Sequence, residues 1–91
     1  MILSFGFKNG KGVPTNASKV FDIRDLSHDT KSIWFKARMQ EILDYAKQHP
    51  KQVIAVGCEE GQHRSRVMVD EVARQLRASK FHRDYTPKQK A

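Results

Sequence analysis

The stretch Val53-Ile54-Ala55-Val56-Gly57-Cys58-Glu59-Glu60-Gly61-Gln62-His63-Arg64-Ser65 decides how the rest of the chain is read. Its first four residues are apolar and mostly β-branched, a short continuous run that predicts a strand buried on both faces. Gly57 and Gly61 bracket a compact loop that contains Cys58. From about Arg64 the period changes, with Val69, Val72, Ala73 and Leu76 recurring at helical spacing. A strand, a glycine-containing loop and a helix start bring unpaired backbone N–H groups and the positive end of a macrodipole to one point, which suits an anion. Arg64 adds a planar fork for two oxygens of a phosphate or carboxylate. Cys58–Ser65 is therefore the expected functional centre, a phosphate-binding strand-loop-helix element.

On the N-terminal side, Ile2-Leu3-Ser4-Phe5-Gly6-Phe7 reads as a first strand with Phe5 and Phe7 on one face. Lys8-Asn9-Gly10-Lys11-Gly12-Val13-Pro14 is turn chemistry. Lys19-Val20-Phe21-Asp22-Ile23 is a second, shorter strand, followed by Arg24 and Asp25, where charged strand-end residues often face a ligand crevice. Asp29 or Ser32 is placed to cap a helix over about 33–48, whose stripe is Phe35, Met39, Ile42, Leu43 and Ala46. Trp34 is expected to extend that stripe into the core, and His49-Pro50 ends the helix. Asp70 and Arg74 read as an i,i+4 pair on the outer face of the last helix, with Ser65 able to cap it. Phe81-His82-Arg83-Asp84-Tyr85 is a candidate edge strand, and 86–91 a basic, frayed tail. This order predicts an α/β fold: one domain over 1–85, with a small, mainly parallel sheet of about four strands flanked by two helices.

At 91 residues the chain supports one core. With 17 basic against 10 acidic side chains it carries a net charge of +7, which favours an anionic partner such as RNA or a phosphorylated metabolite. No apolar run is long enough to span a bilayer, so no membrane is expected. A single cysteine precludes an internal disulfide and fits a cytoplasmic location.

Three chemistries fit the loop. In the first, Cys58 and Arg64 have the spacing of the loop in cysteine-dependent protein tyrosine phosphatases, where a thiolate attacks phosphorus and an arginine clamps its oxygens. Glu59 and Glu60 inside the loop, and Gly57 where that family usually has histidine, weigh against it. Asp22, Asp25 and Asp84 are the candidate general acids. In the second, Cys58 and His63 bind a metal with His28, His49 or His82, but paired ligand spacings are lacking, so neither metal nor cofactor is expected. In the third, the loop only binds: Cys58 is a small strand-end residue, and His63, Arg64 and Ser65 supply donors.

Several blocks also resemble the C-terminal domain of the RNase adapter protein RapZ family. They are Ser4-Phe5-Gly6-Phe7-Lys8 with Gly10 and Pro14, Val20-Phe21-Asp22-Ile23-Arg24-Asp25-Leu26, the loop Gly57-Cys58 to Ser65, and Phe81-His82-Arg83-Asp84. The loop resembles G-C-x-G-G-Q-H-R-S, with Glu60 in place of a glycine. The resemblance implies an α/β domain that binds amino-sugar phosphate and small regulatory RNA, self-associates into a homo-oligomer and helps present RNA to an endoribonuclease. Carried over by position, Cys58, Gly61, Gln62, His63, Arg64 and Ser65 would form the phosphate pocket, with Lys8, Arg24, His82 and Arg83 as supporting basic groups. The sequence has no G-x-x-x-x-G-K-[ST], so the family's N-terminal nucleotide-binding domain is not represented and ATP hydrolysis is not expected of these residues. It is also shorter than the family between the Arg24 segment and the following helix.

Overall fold

The fold is that of a computed structural model, which describes residues 1–87. Most of the expected basic tail, 88–91, lies outside the described residues. In chain order the elements are β1 (Ile2–Gly6), β2 (Lys19–Asp22), α1 (Ile33–Gln48), β3 (Ile54–Cys58), α2 (Arg64–Leu76) and β4 (Lys80–His82). The four strands form one sheet in the order β2-β3-β1-β4, and every pair is parallel.

That order decides where the helices go. The steps from β2 to β3 and from β3 to β4 run the same way across the sheet, while β1 to β2 runs back. Because parallel crossovers are right-handed, the first two steps put α1 and α2 on one face and the return step on the other. Packing agrees. Ile2, Phe21, Ile54 and Val56 meet Phe35, Ile42 and Leu43 of α1 and Met68, Val69 and Val72 of α2. The opposite face carries Leu3, Phe5 and Ala55, covered by Phe7, Ala17, Val20 and Val53 rather than by a helix. The return connection is the Gly- and Pro-containing segment between β1 and β2, too rich in turn residues to be helical. β3, central and covered on both sides, is buried at all five positions, as its apolar run predicts. Gly57 leaves room for the rings on the loop-covered face: a Cβ there would lie 2.5 Å from Phe5 Cζ and 2.6 Å from Phe7 Cε2.

α1 begins at Ser32, whose hydroxyl accepts the Phe35 amide at 3.1 Å, and ends at His49, ahead of Pro50. Trp34 does not join the core. It is 71% exposed, because one residue before Phe35 is a 100° step off the buried stripe. The Asp70–Arg74 pairing is also corrected: Arg74 pairs with Glu71, while Asp70 receives Arg66, Lys80 and His82. Asp70 lies on the side of α2 that overhangs the β4 edge, so its partners come from the neighbouring strand as well as its own helix.

Candidate functional site

β1, β2 and β3 all point their carboxyl ends at the same rim, the place where open α/β sheets hold ligands. The loop between β3 and α2 closes over this rim. Phe7 N donates to Cys58 O and Lys8 N to Glu59 O, so the chain leaving β1 continues beside the loop. The approach is close enough to require glycine twice. A Cβ on Gly6 would overlap the Glu60 carbonyl carbon and lie 2.8 Å from its Cα, and one on Gly61 would lie 2.8 Å from Gly6 N. Gly61 also takes a φ of 75°, which glycine adopts without strain.

The loop curls around the Cys58 sulfur. Sγ accepts from Gly61 N at 3.3 Å and Ser65 N at 3.5 Å, and lies 3.1 Å from Ser65 Oγ. Burial raises the Cys58 thiol's pKa, but the Ser65 hydroxyl, the Ser65 and Gly61 amides and the Arg64 charge outweigh it, leaving the thiol below its usual value. Ser65 is fully buried and its hydroxyl reaches inward, to Cys58 and to Phe5 O. It is not the helix cap. That position is His63, whose side chain makes no capping bond. Among the described residues, the amides of Glu59, Glu60, Gln62, His63 and Arg64 have no acceptor.

Arg64 is only 5% exposed. Its Nη1 donates to Leu26 O at 2.7 Å and Arg24 O at 3.0 Å, tying the start of α2 to the connection after β2. One nitrogen of the guanidinium thus holds two backbone carbonyls. No side-chain nitrogen or oxygen among the described residues is both buried and unbonded. Nε and Nη2 of Arg64 have no acceptor among those residues, and with the residue only 5% exposed they keep no more than marginal contact with solvent. Arg64 lines a cavity of about 230 Å³ together with Cys58, Gln62 and His63. Glu59, Glu60 and His28 complete its wall.

The remaining expected residues scatter around this cavity. Gln62 is turned away from the loop centre, donating to Asp84 O at 2.6 Å and accepting from Thr86 N at 3.0 Å. Lys8 sits at the rim, 3.5 Å from Glu59. Arg24 binds Asp22 through two nitrogens and lies 3.9 Å over the Phe7 ring. Arg83 reaches Asp84 and Asn9 on the side of the β1–β2 connection. His82 lies under α2, with Nδ1 2.6 Å from Ser4 Oγ and Nε2 2.7 Å from Asp70. This trio has the hydrogen-bond order of a hydrolase triad. Ser4 is fully buried, however, so the trio pins the edge strand rather than presenting a nucleophile.

Two contributors escaped the reading of the loop motif. His28 follows β2 and is brought to the cavity by the parallel topology. Asp84 is buried, and its Oδ2 accepts the Gly6 amide at 2.7 Å, bracing β1 and the loop from behind. A larger cavity, about 550 Å³ between α1 and α2, lies away from the strand ends and is lined by Met39, Leu43 and Val67 among others.

A sequence model of the RapZ C-terminal domain matches residues 30–89, two thirds of the chain. The chain belongs to that family. As a RapZ C-terminal domain it is 34% identical to a nucleotide-binding protein of Hahella chejuensis, over 68% of this chain and 31% of the relative. It is 31% identical to a nucleotide-binding protein of Ralstonia nicotianae, over 86% of this chain and 36% of the relative. A nucleotide-binding protein of Thermodesulfovibrio yellowstonii matches at 31%, over 85% and 37%. The chain thus spans about a third of the length of these relatives. Its alignment with a nucleotide-binding protein of Cutibacterium acnes runs over 117 residues, more than the 91 present here, so that relative carries inserted residues this domain lacks. No helix among the described residues is long and apolar enough to cross a membrane.

Proposed function

We propose that this domain binds a phosphorylated ligand, without turning it over, at the cavity formed by the Cys58–Ser65 loop and the start of α2. One observation carries the reading. The residues that line a single pocket at the sheet's carboxyl rim carry an uncapped helix start, five amides lacking acceptors among the described residues, and two nitrogens of Arg64 that likewise lack acceptors there. Such a set of fixed donors stabilises negative charge with little reorganisation. In this reading the Cys58 sulfur shapes the loop by drawing in two amides, and Gly61 and Ser65 hold the loop's curl rather than touch the ligand. Lys8 adds positive charge at the rim. The family resemblance makes an amino-sugar phosphate, a nucleotide or an RNA phosphate the ligand of choice, and a cytoplasmic homo-oligomer the working form.

Calorimetric titration with inorganic phosphate, glucosamine phosphate, a nucleoside monophosphate and a short single-stranded RNA tests this. Arg64→Lys keeps a cation near the two carbonyls but loses the fork, and affinity is expected to fall more than about tenfold, the value of one good charge-assisted contact. Unchanged affinity in a folded variant would sink the reading. An RNA-backbone ligand is expected to lose affinity steeply with salt, a metabolite in the pocket much less.

The lowered Cys58 pKa favours one competitor, a cysteine-dependent phosphatase with Arg64 as the clamp. The sulfur is buried, however, and none of the three aspartates considered as general acid is suited to hold a proton. Asp22 is held below the usual carboxylate range by its bond to Arg24, and Asp25 by its bond to Arg38. For Asp84, burial pushes the value up, but Arg83 and the Gly6 amide pull it below normal. A general acid needs the opposite shift. Turnover of a phosphoryl substrate by the native protein that disappears in Cys58→Ser would establish the phosphatase; equal binding by both proteins without turnover supports the binding domain.

A further inference from the structure

We propose that the Glu60 carboxylate reads an ammonium group on the phosphorylated ligand, so that the pocket selects an amino-sugar phosphate over a neutral sugar phosphate of the same shape. The inference rests on the phosphate-binding reading and deepens it, by naming the side chain that sets which sugar phosphate is held.

The cavity at the rim has walls of both signs. Arg64 and the start of α2 supply the positive one, Glu59 and Glu60 the negative one. The two carboxylates differ in what engages them. Glu59 pairs with Lys8 at 3.5 Å, whereas Glu60 takes part in no ion pair and no side-chain hydrogen bond among the described residues. A carboxylate without a counter-charge beside a phosphate site opposes binding, because like charges a few ångströms apart repel even near the protein surface. A ligand that carries its own cation removes that opposition. Its phosphate takes the amides and Arg64, while an ammonium group, with three donors and no acceptor, meets Glu60.

The backbone sends this side chain outward. The Cα and carbonyl of Glu60 are the atoms that a Cβ on Gly6 would strike, so the main chain of residue 60 lies against the end of β1. The residue itself is exposed and lines the cavity. It is not strained there, since positive φ in this loop falls on Gly61. Glutamate thus stands comfortably where the resembled motif has a glycine, and it adds a charge that glycine lacks.

Size and the remaining lining suit a small molecule. A cavity of about 230 Å³ lies below the roughly 300–1,000 Å³ of sites for drug-sized ligands, as a single hexose phosphate requires. His28 and His63 line it too, their rings paired with centroids 6.5 Å apart, and neither side chain makes a hydrogen bond among the described residues. Their ring nitrogens are left for sugar hydroxyls, which both donate and accept.

The test is a calorimetric titration with glucosamine 6-phosphate, glucose 6-phosphate and N-acetylglucosamine 6-phosphate. It is run on the native protein, Glu60→Gln and Glu59→Gln, after thermal melts show the variants folded. The native protein is expected to prefer glucosamine 6-phosphate to the other two by at least about tenfold, the lower end for a charge-assisted contact. Glu60→Gln should weaken glucosamine 6-phosphate while holding glucose 6-phosphate at least as tightly, because it removes attraction from one and only repulsion from the other. A mere loss of loop shape weakens both. Glu59→Gln should keep most of the preference, since that carboxylate is already paired with Lys8. Equal binding of the three sugars by the native protein overturns the role of Glu60 and leaves the phosphate site standing. So does a preference that survives Glu60→Gln, or one lost equally in Glu59→Gln. If none of the three binds, the role of Glu60 and the phosphate site fall together.

Discussion

Removing the Asp84 carboxylate should destabilise the domain measurably. Its side chain is 2% exposed, and Oδ2 accepts the Gly6 amide at 2.7 Å while Arg83 donates to both oxygens at 3.0–3.2 Å. Lys11 at 3.7 Å is mostly exposed and adds little. In Asp84→Ala the Gly6 N–H, at the buried end of β1, loses its acceptor. A charge-assisted bond of this kind is worth about 1.5–3 kcal/mol, and stranding a buried donor costs about 1–3 kcal/mol, two overlapping measures of one loss. Arg83 retains some access to water, so its loss of a partner is partly offset. We expect about 2–4 kcal/mol in all, against a total of roughly 5–14 kcal/mol for a domain of this length. Thermal melting should fall on the order of 10–25 °C, and the urea midpoint should drop without a change of slope. Asp84→Asn keeps an oxygen for Gly6 N but loses the charge and turns the oxygen facing Arg83 Nε into a donor, so its effect should be smaller than that of alanine without vanishing. A loss below about 1 kcal/mol for alanine, or an asparagine variant as damaged as the alanine one, would refute the reasoning: the first because the brace is unimportant, the second because the Arg83 charge pair and not the Gly6 amide dominates.

Acid should act through the same carboxylate. Asp84 and Asp70 have folded-state pKa values below their ordinary ones, burial opposing the shift in both and being outweighed by Arg83 and Gly6 N in the first, by Lys80 and His82 in the second. A depressed folded pKa means that the unfolded chain takes up the proton first. Their contribution is therefore whole above the unfolded value of about 3.9 and lost as pH falls through the folded one. Urea midpoints measured from pH 6 to pH 3 should fall at the acid end, and less so in Asp84→Asn. Gly6→Ala puts a Cβ into the Glu60 backbone, so overpacking of about 1–3 kcal/mol and a weakened phosphate affinity should appear together; a variant with native melting and native affinity would show that the loop moves aside without consequence. Ser32→Ala removes the bond to Phe35 N and should lower stability by about 1 kcal/mol in chemical denaturation, leaving ligand affinity as it was.

The local elements were legible because local rules govern them. The β-branched run before Gly57 is a strand buried on both faces, the caps considered for α1 included Ser32, which the structure uses, with His49-Pro50 at its end, and the helical spacing of Val69, Val72 and Ala73 marks the buried side of α2. The blocks that resemble the RapZ C-terminal domain were equally readable, since a motif is carried by residue identity and order. Exposure of Trp34 and the partners of Asp70 were not, because both depend on where a helix sits against its neighbours. The one-sided placement of the helices follows from strand order, a long-range property that no window of sequence contains. The same holds at the candidate site. The sequence by itself determined a glycine-bracketed loop with a cysteine, a histidine and an arginine at a helix start. Only the tertiary structure decided that Nη1 of Arg64 holds the Arg24 and Leu26 carbonyls, that Ser65 faces inward, and that His28 and Asp84 meet the loop. Those contacts join residues some 20–60 positions apart along the chain, and parallel pairing is what brings them to one rim.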